Sequence, residues 1–280
     1  MQNKLSFFLL FSFFVTACNT QPAFQPTFAA CGRLSDFPAV AEAGYDCMEG
    51  TVADILVPSQ NDSAFLVILE RMKTLNAKFI SCMQFVPGAL KITGPEPRHD
   101  EIIIWAETTF RRARMAGIPY IVLGSGSARD IPDGFDKQAA TQQFVNLCRQ
   151  LAPLAQKYDV TVVIEPLSKP YSNFINSLAE GAAIVTTVNH PNIRLLCDIG
   201  HMMLEDEPAD EIVKFGNLIH HCHITEKENR NVPGTSGDDF RPYLKALQQI
   251  QYKGCISIES RWTDLSQQLA PALQYIKQQI

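Results

Sequence analysis

Long apolar runs, clusters of basic residues and paired cysteine motifs are all missing from this sequence, and each absence removes a class of protein. The most apolar stretch at the N-terminus, Leu5–Val15, has eleven residues, far short of the roughly 20 that a membrane-spanning helix needs. Lys and Arg number 24 against 29 Asp and Glu, giving a net charge of −5 with no Lys/Arg run. Nucleic-acid phosphates demand a basic footprint, so a nucleic-acid partner is excluded. Eight cysteines occur without one C-x-x-C, which argues against a zinc knuckle or a dithiol redox motif.

What the N-terminus does hold is an export pattern. Lys4 precedes the Leu5–Val15 run, which contains five phenylalanines and is followed by small residues; this has the length of a signal-peptide core. Val15-Thr16-Ala17-Cys18 resembles the bacterial lipobox, which makes Cys18 the lipidated first residue of the mature chain. Residues 1–18 are therefore read as a lipoprotein signal peptide. Residues 19–28, uncharged and carrying two prolines, are read as a tether. The expected location is a membrane-anchored, periplasm-facing lipoprotein of a Gram-negative bacterium, touching the membrane only through its lipid. Beyond Cys18 lie 262 residues with a net charge of −6 and seven cysteines. Six of these lie in apolar strand-like runs, and buried free cysteine behaves as a small hydrophobe, so free core thiols are expected.

From Phe28 onward, short apolar runs alternate with helical stretches. The runs are 28–32, 45–50, 79–85, 120–124, 160–165, 193–198, 218–223 and 255–259. Helices are expected at Ser35–Ala43, from Asp62 or Ser63, at His99–Met115, Asp136–Lys157, Leu178–Val188, Pro208–Phe215, Phe240–Ile250 and Leu265–Gln279. Near-continuous apolar strands alternating with helices imply a parallel sheet covered on its outside. Eight such units in one chain of this size imply a closed barrel. The fold class is α/β, a single (β/α)₈ TIM barrel over residues 29–280.

Function in such barrels collects at the C-terminal ends of the strands. Here the last four runs end in Glu165, Asp198, His223 and Glu259, separated by 33, 25 and 36 residues. One β/α unit per gap puts all four at the same rim. Three carboxylates and an imidazole crowded into a partly desolvated mouth would repel until some were protonated, and one divalent cation removes that conflict. Oxygen and nitrogen donors without thiolate suit Mn²⁺, Mg²⁺, Co²⁺ or Zn²⁺, with Mn²⁺ preferred. Cys197 and Cys222 precede ligands by one residue, so strand alternation turns them outward.

These residues, with Gly124-Ser-Gly-Ser-Ala-Arg129, Ile164-Glu-Pro-Leu167, Asn173-Phe-Ile-Asn176, Cys197-Asp-Ile-Gly-His201 and Asn229-Arg-Asn-Val-Pro-Gly234, resemble the xylose isomerase-like TIM-barrel superfamily. The likeness is to its sugar isomerase/epimerase branch, which includes D-tagatose 3-epimerase. The resemblance implies that Glu165 and Glu259 are metal-bound acid and base, with Asp198 and His223 completing the metal set. It implies that His201 and Arg230 hold substrate oxygens, and that Glu49 supplies a polar group to the substrate pocket. The branch usually reads Glu-Pro-Leu-Asn-Arg with a further Glu six residues after the ligand. This chain has Ser168, Lys169 and Tyr171 at those three places.

The activity implied is isomerisation or epimerisation of a sugar, by metal-assisted proton transfer next to a carbonyl through an enediolate. Two alternatives are a lyase or dehydratase acting on a keto-sugar or 3-keto-glycoside, and a non-catalytic periplasmic sugar-binding lipoprotein. An endonuclease IV-like role, the superfamily's DNA-repair chemistry, conflicts with the acidic charge and with six histidines in all. No glycine-rich phosphate cradle follows strands seven and eight, although Arg129, Lys169, Arg230 and Arg261 are cations that an anionic substrate could meet.

Overall fold

The apolar runs pair with one another in the order in which they occur along the chain. In the computed structural model, which describes residues 24–280, they form strands β1 (Thr27–Cys31), β2 (Cys47–Thr51), β3 (Phe79–Met83), β4 (Tyr120–Leu123), β5 (Thr161–Ile164), β6 (Ile193–Asp198), β7 (Ile219–Ile224) and β8 (Cys255–Ile258). All neighbours are parallel, and β8 returns to β1 to close the barrel. The expected signal peptide, Cys18 and residues 19–23 of the tether lie outside the described residues. The tether was expected to reach residue 28; instead the barrel begins at Thr27, because Phe28 is buried against the core and its N–H donates to Asp46.

Helices α1 (Phe37–Glu42), α2 (Asp62–Leu75), α3 (His99–Ala116), α4 (Gly126–Arg129), α5 (Lys137–Lys157), α6 (Leu178–Val188), α7 (Ile199–Leu204), α8 (Asp210–Phe215), α9 (Arg241–Gln249) and α10 (Leu265–Lys277) wrap the strands. Five of them, α2, α5, α6, α7 and α10, start at side-chain caps that satisfy otherwise unpaired backbone N–H groups. Asp136, Ser177 and Asp264 accept from the residues three positions on. α2 opens at Asp62, the earlier of the two expected starts, and its cap is Asn61 just before it. The long α3 ends at Gly117, whose φ of +71° is a conformation glycine adopts freely.

The segment after β2 was not legible in advance. Val52–Leu56 forms one π-helical turn that ends on Val57 with φ +40°. The turn is tied down by the fully buried Arg112 of α3, which donates to the carbonyls of Leu56, Val57 and Gln60 and pairs with Asp62 at 2.8 Å.

All seven cysteines among the described residues are free thiols, and all but Cys47 are buried. Cys197 and Cys222 face the helices, where they join the large apolar core between barrel and helical ring. Inside the barrel the filling is divided. Val122, Val163 and Leu196 form a small apolar cluster on the β4–β6 side. Glu49, Ser81, His221 and Ser257, all fully buried, occupy the β2, β3, β7 and β8 side. A barrel interior lined with a carboxylate and an imidazole is costly unless those groups are paired, and their pairing leads directly to the site.

Candidate active site

Strand geometry brings the four expected ligands together. Glu165 follows β5, Asp198 ends β6, His223 is the penultimate residue of β7 and Glu259 follows β8. One ligand atom from each lies within 4.8 Å of all the others. His223 Nδ1 is the centre of the group, 3.2 Å from Glu165 Oε1, 2.9 Å from a Glu259 oxygen and 3.9 Å from Asp198 Oδ2. Room for Glu165 comes from Gly124 at the end of β4, over which the carboxylate lies.

The electrostatics are those of negative charge gathered in a buried place. Burial pushes the Glu165 carboxyl above its ordinary range, reinforced by the charges of Glu259 and Asp198 and only partly offset by its hydrogen bond with His223. Burial acts on Asp198 in the same direction but is outweighed by His201, Arg230 and His223, which hold it ionised. His223 loses solvation too, yet Glu49, Glu259 and Glu165 raise its affinity for a proton well above the usual imidazole range. Thus a positive charge on His223 balances the carboxylates, and a divalent cation would do the same without the proton.

Two further features fit such a cation. Asp198 Oδ2 is buried with no hydrogen-bond partner among the described residues, although buried polar atoms are rarely left so. That carboxylate belongs to the four-residue cluster. Its donors, three carboxylate oxygens and one imidazole nitrogen, suit a hard or borderline divalent ion.

The cluster opens into a cleft of about 510 Å³ lined by Glu165, Glu259, His201, Arg230, Tyr171 and Trp105, among others. His201 and Arg230, expected to bind substrate, therefore do face the cleft. They are linked, with Arg230 Nη1 3.1 Å from His201 Nε2 and the other ring nitrogen 2.9 Å from Ser168 Oγ. Arg230 Nη2 donates to the Glu259 carbonyl and stands 2.6 Å from its carboxylate. Tyr171, at the position where the resembling enzymes carry a glutamate, sets its ring edge-on to His201 at 5.1 Å and 5.8 Å from the Arg230 guanidinium.

Glu49 is the exception. It was expected to reach the substrate pocket, but it is wholly buried behind His223 and absent from the cleft wall. Both its carboxylate oxygens lie 3.0 Å from His223 Nε2, and one lies 2.9 Å from His221 Nε2. The cations considered for an anionic substrate are also otherwise engaged. Arg129 is buried, donating to the carbonyls of Glu165 and Ile175, and Lys169 pairs with Glu205. Arg261 is exposed and does not line the cleft.

Sequence reasoning missed Ser168 as the partner of His201, and Trp105, Met83 and Gln84 as cleft residues. Trp105 sits within α3, and its indole N–H donates to the Phe85 carbonyl. Nothing in a helical pattern distinguishes such a residue from ordinary core.

Residues 37–279 match the family described as xylose isomerase-like TIM barrel. An L-ribulose 3-epimerase of Methylomonas sp. (strain DH-1) is 27% identical over 240 residues, 83% of this chain and 79% of that protein. A 3-dehydro-D-guloside 4-epimerase of Escherichia coli (strain K12) is 27% identical over 114 residues, 40% of this chain and 43% of that one. The crystal structure of a 3-keto-D-glucoside 4-epimerase from E. coli superposes with a TM-score of 0.78 at 17% identity, covering 91% of this chain and 100% of the other. That likeness shows the fold. The sequence relatives named here are sugar epimerases.

Proposed function

The chain belongs to the xylose isomerase-like TIM-barrel family, and from that premise we propose that it is a divalent-metal-dependent epimerase or isomerase of an uncharged keto-sugar. The observation that carries this reading is the convergence of Glu165, Asp198, Glu259 and His223 Nδ1 within 4.8 Å at one end of a cleft. Mn²⁺ is the preferred ion. When bound, the cation supplies Lewis acidity to a substrate carbonyl.

The protein's own groups then divide the work. Glu165 and Glu259 leave strands three apart in the barrel order and meet at the cleft. One removes the proton from the carbon beside the carbonyl, and the other returns a proton from the opposite face, inverting that carbon. Protonation of the former carbonyl carbon instead, with the hydroxyl proton passing between the two oxygens, gives isomerisation. Positioned proton transfer of this kind is worth roughly 10²–10⁴-fold. Arg230 orients Glu259 through its carbonyl and carboxylate, and His201, held by Ser168, accepts or donates to a substrate hydroxyl. Among the described residues Arg230 is the one lysine or arginine that lines the cleft, and it is already engaged by carboxylates. That favours a substrate without charge.

Incubating the Mn²⁺-loaded protein with ketoses and 3-keto-glycosides in D₂O tests the proposal. Deuterium should enter one carbon beside the carbonyl of a product of otherwise unchanged composition, and Glu259→Gln should abolish the exchange. Loss of a substituent with a new ultraviolet absorbance would make the enzyme a lyase. Tight sugar binding with no exchange for any substrate would make it a binding protein.

We also propose export and lipidation at Cys18, on the strength of the leader pattern alone. Labelled fatty acid should appear in the wild-type protein and not in Cys18→Ser. No helix among the described residues is long and apolar enough to cross a membrane.

A further inference from the structure

A metal-binding histidine must offer an unprotonated nitrogen, and a neutral imidazole has only one. Which nitrogen keeps the proton is set by what the other end of the ring meets. In His223 the cluster side is Nδ1. Behind the ring, both oxygens of Glu49 lie 3.0 Å from Nε2. Glu49 is fully buried, and no lysine or arginine among the described residues reaches ion-pair distance of it; its partners are the imidazoles of His221 and His223.

His221 has no evident duty of its own. Its Nε2 lies 2.9 Å from Glu49 and close to the hydroxyls of Ser81 and Ser257, at 3.2 and 3.3 Å. Its Nδ1 is buried with no partner among the described residues. The ring is fixed by packing, stacked on Tyr120 and edge-on to His223. A side chain that leaves one polar atom unsatisfied to keep the other on Glu49 is explained by what it does for Glu49.

Resting on the metal-site reading above, we infer that Glu49 is a positioning residue for the metal, not a substrate contact. It accepts the His223 Nε2–H through both oxygens, fixing the tautomer that turns Nδ1 to the ion, and His221 holds Glu49 in place. Glu49 thus bridges the two imidazoles, His221 and His223. The three also make a compact group, Glu49, His221 and His223, that could itself take a second ion. The unpartnered Nδ1 of His221 points away from that use, since the hydrogen bonds at Nε2 already occupy the nitrogen facing Glu49.

The test measures metal binding, apart from turnover. Mn²⁺ is titrated into metal-free wild type, Glu49→Leu, Glu49→Gln and His221→Asn, and Co²⁺ gives a visible spectrum sensitive to ligand geometry. Glu49→Leu should bind Mn²⁺ about 10–100-fold more weakly, the range for lost outer partners of metal-bound histidine, with an altered Co²⁺ spectrum. Its metal-free melting temperature should fall, because removing one partner of a buried pair strands His221 and His223, so affinity is measured at a temperature where circular dichroism shows the variant folded. Glu49→Gln still accepts from Nε2–H and should recover most of the affinity; His221→Asn should fall between the two. Wild-type affinity in Glu49→Leu, or two ions bound per wild-type chain, would overturn the inference. A wild type that binds no metal at all would instead sink the site reading on which it rests.

Discussion

Gly124 and Glu165 share one small space: a Cβ on residue 124 would stand 2.1 Å from Glu165 Oε2. The clash is with the far end of a flexible side chain, so the fold can yield where the metal site cannot. Gly124→Ala should change stability by less than about 1 kcal/mol, the usual size of a tolerated substitution. It should weaken Mn²⁺ binding and lower kcat/KM by at least tenfold. Calorimetric titration beside thermal melting separates the two effects.

The pH dependence of the metal-free protein has a defined sign. His223 is held charged well above the unfolded imidazole value of about 6.5. The stability this contributes is complete below that pH and is lost as pH rises through the folded pKa. Metal-free protein should therefore melt at progressively lower temperature as the solution turns alkaline. Mn²⁺ replaces the proton, so its apparent affinity should climb over the same range, and saturating metal should flatten the melting profile. His223→Asn should show neither trend.

Glu207 offers an independent check far from the metal. Burial, reinforced by Glu211, Glu205 and Glu180, pushes its carboxyl up to about 7, against the hydrogen bond from the Leu178 N–H. A raised carboxyl pKa costs stability above pH 7 and nothing below the unfolded value of about 4.3. Glu207→Gln keeps an acceptor for Leu178 and should stabilise by roughly 1 kcal/mol at pH 8, discounted for partial solvent screening, with no gain at pH 4. Denaturant melts at the two pH values measure the difference.

Arg112 should prove among the most sensitive positions for folding. Its guanidinium serves three carbonyls of the turn after β2 and the Asp62 carboxylate from a fully buried site. Arg112→Met fills much of the volume but strands those acceptors, at a cost of about 3–5 kcal/mol. Because the turn contributes only Ala53 to the cleft wall, activity per folded molecule should fall less than stability does.

Much of the barrel was legible because its strands are buried on both faces and read as eight apolar runs, each ended by turn or cap residues. The four residues of the rim cluster were legible for a related reason. Each closes such a run, and a polar side chain at the C-terminal end of a barrel strand has only the mouth to point into. The π-helical turn at Val52–Leu56 carried no comparable signal, since its geometry depends on Arg112, more than fifty residues away in sequence. Tyr171 was visible as a departure from the glutamate of the resembling enzymes, but its contacts with His201 and Arg230 depend on two loops and α7 meeting.

Glu49 marks the boundary most clearly. Strand alternation fixes from sequence that residue 49 points into the barrel, as residues 221 and 223 do. Whether an inward residue reaches the mouth or stops in the interior depends on how far each strand is shifted against its neighbours. The shift is set by pairings closed around the whole barrel, including the irregularity between Met48 and Glu49 opposite β3. The chain thus determined by itself which side chains turn inward and which four end at the rim. Only the closed, staggered sheet decided that Glu49 would lie beneath His223 and not beside a sugar, because stagger is a property of eight strands together and of no single one.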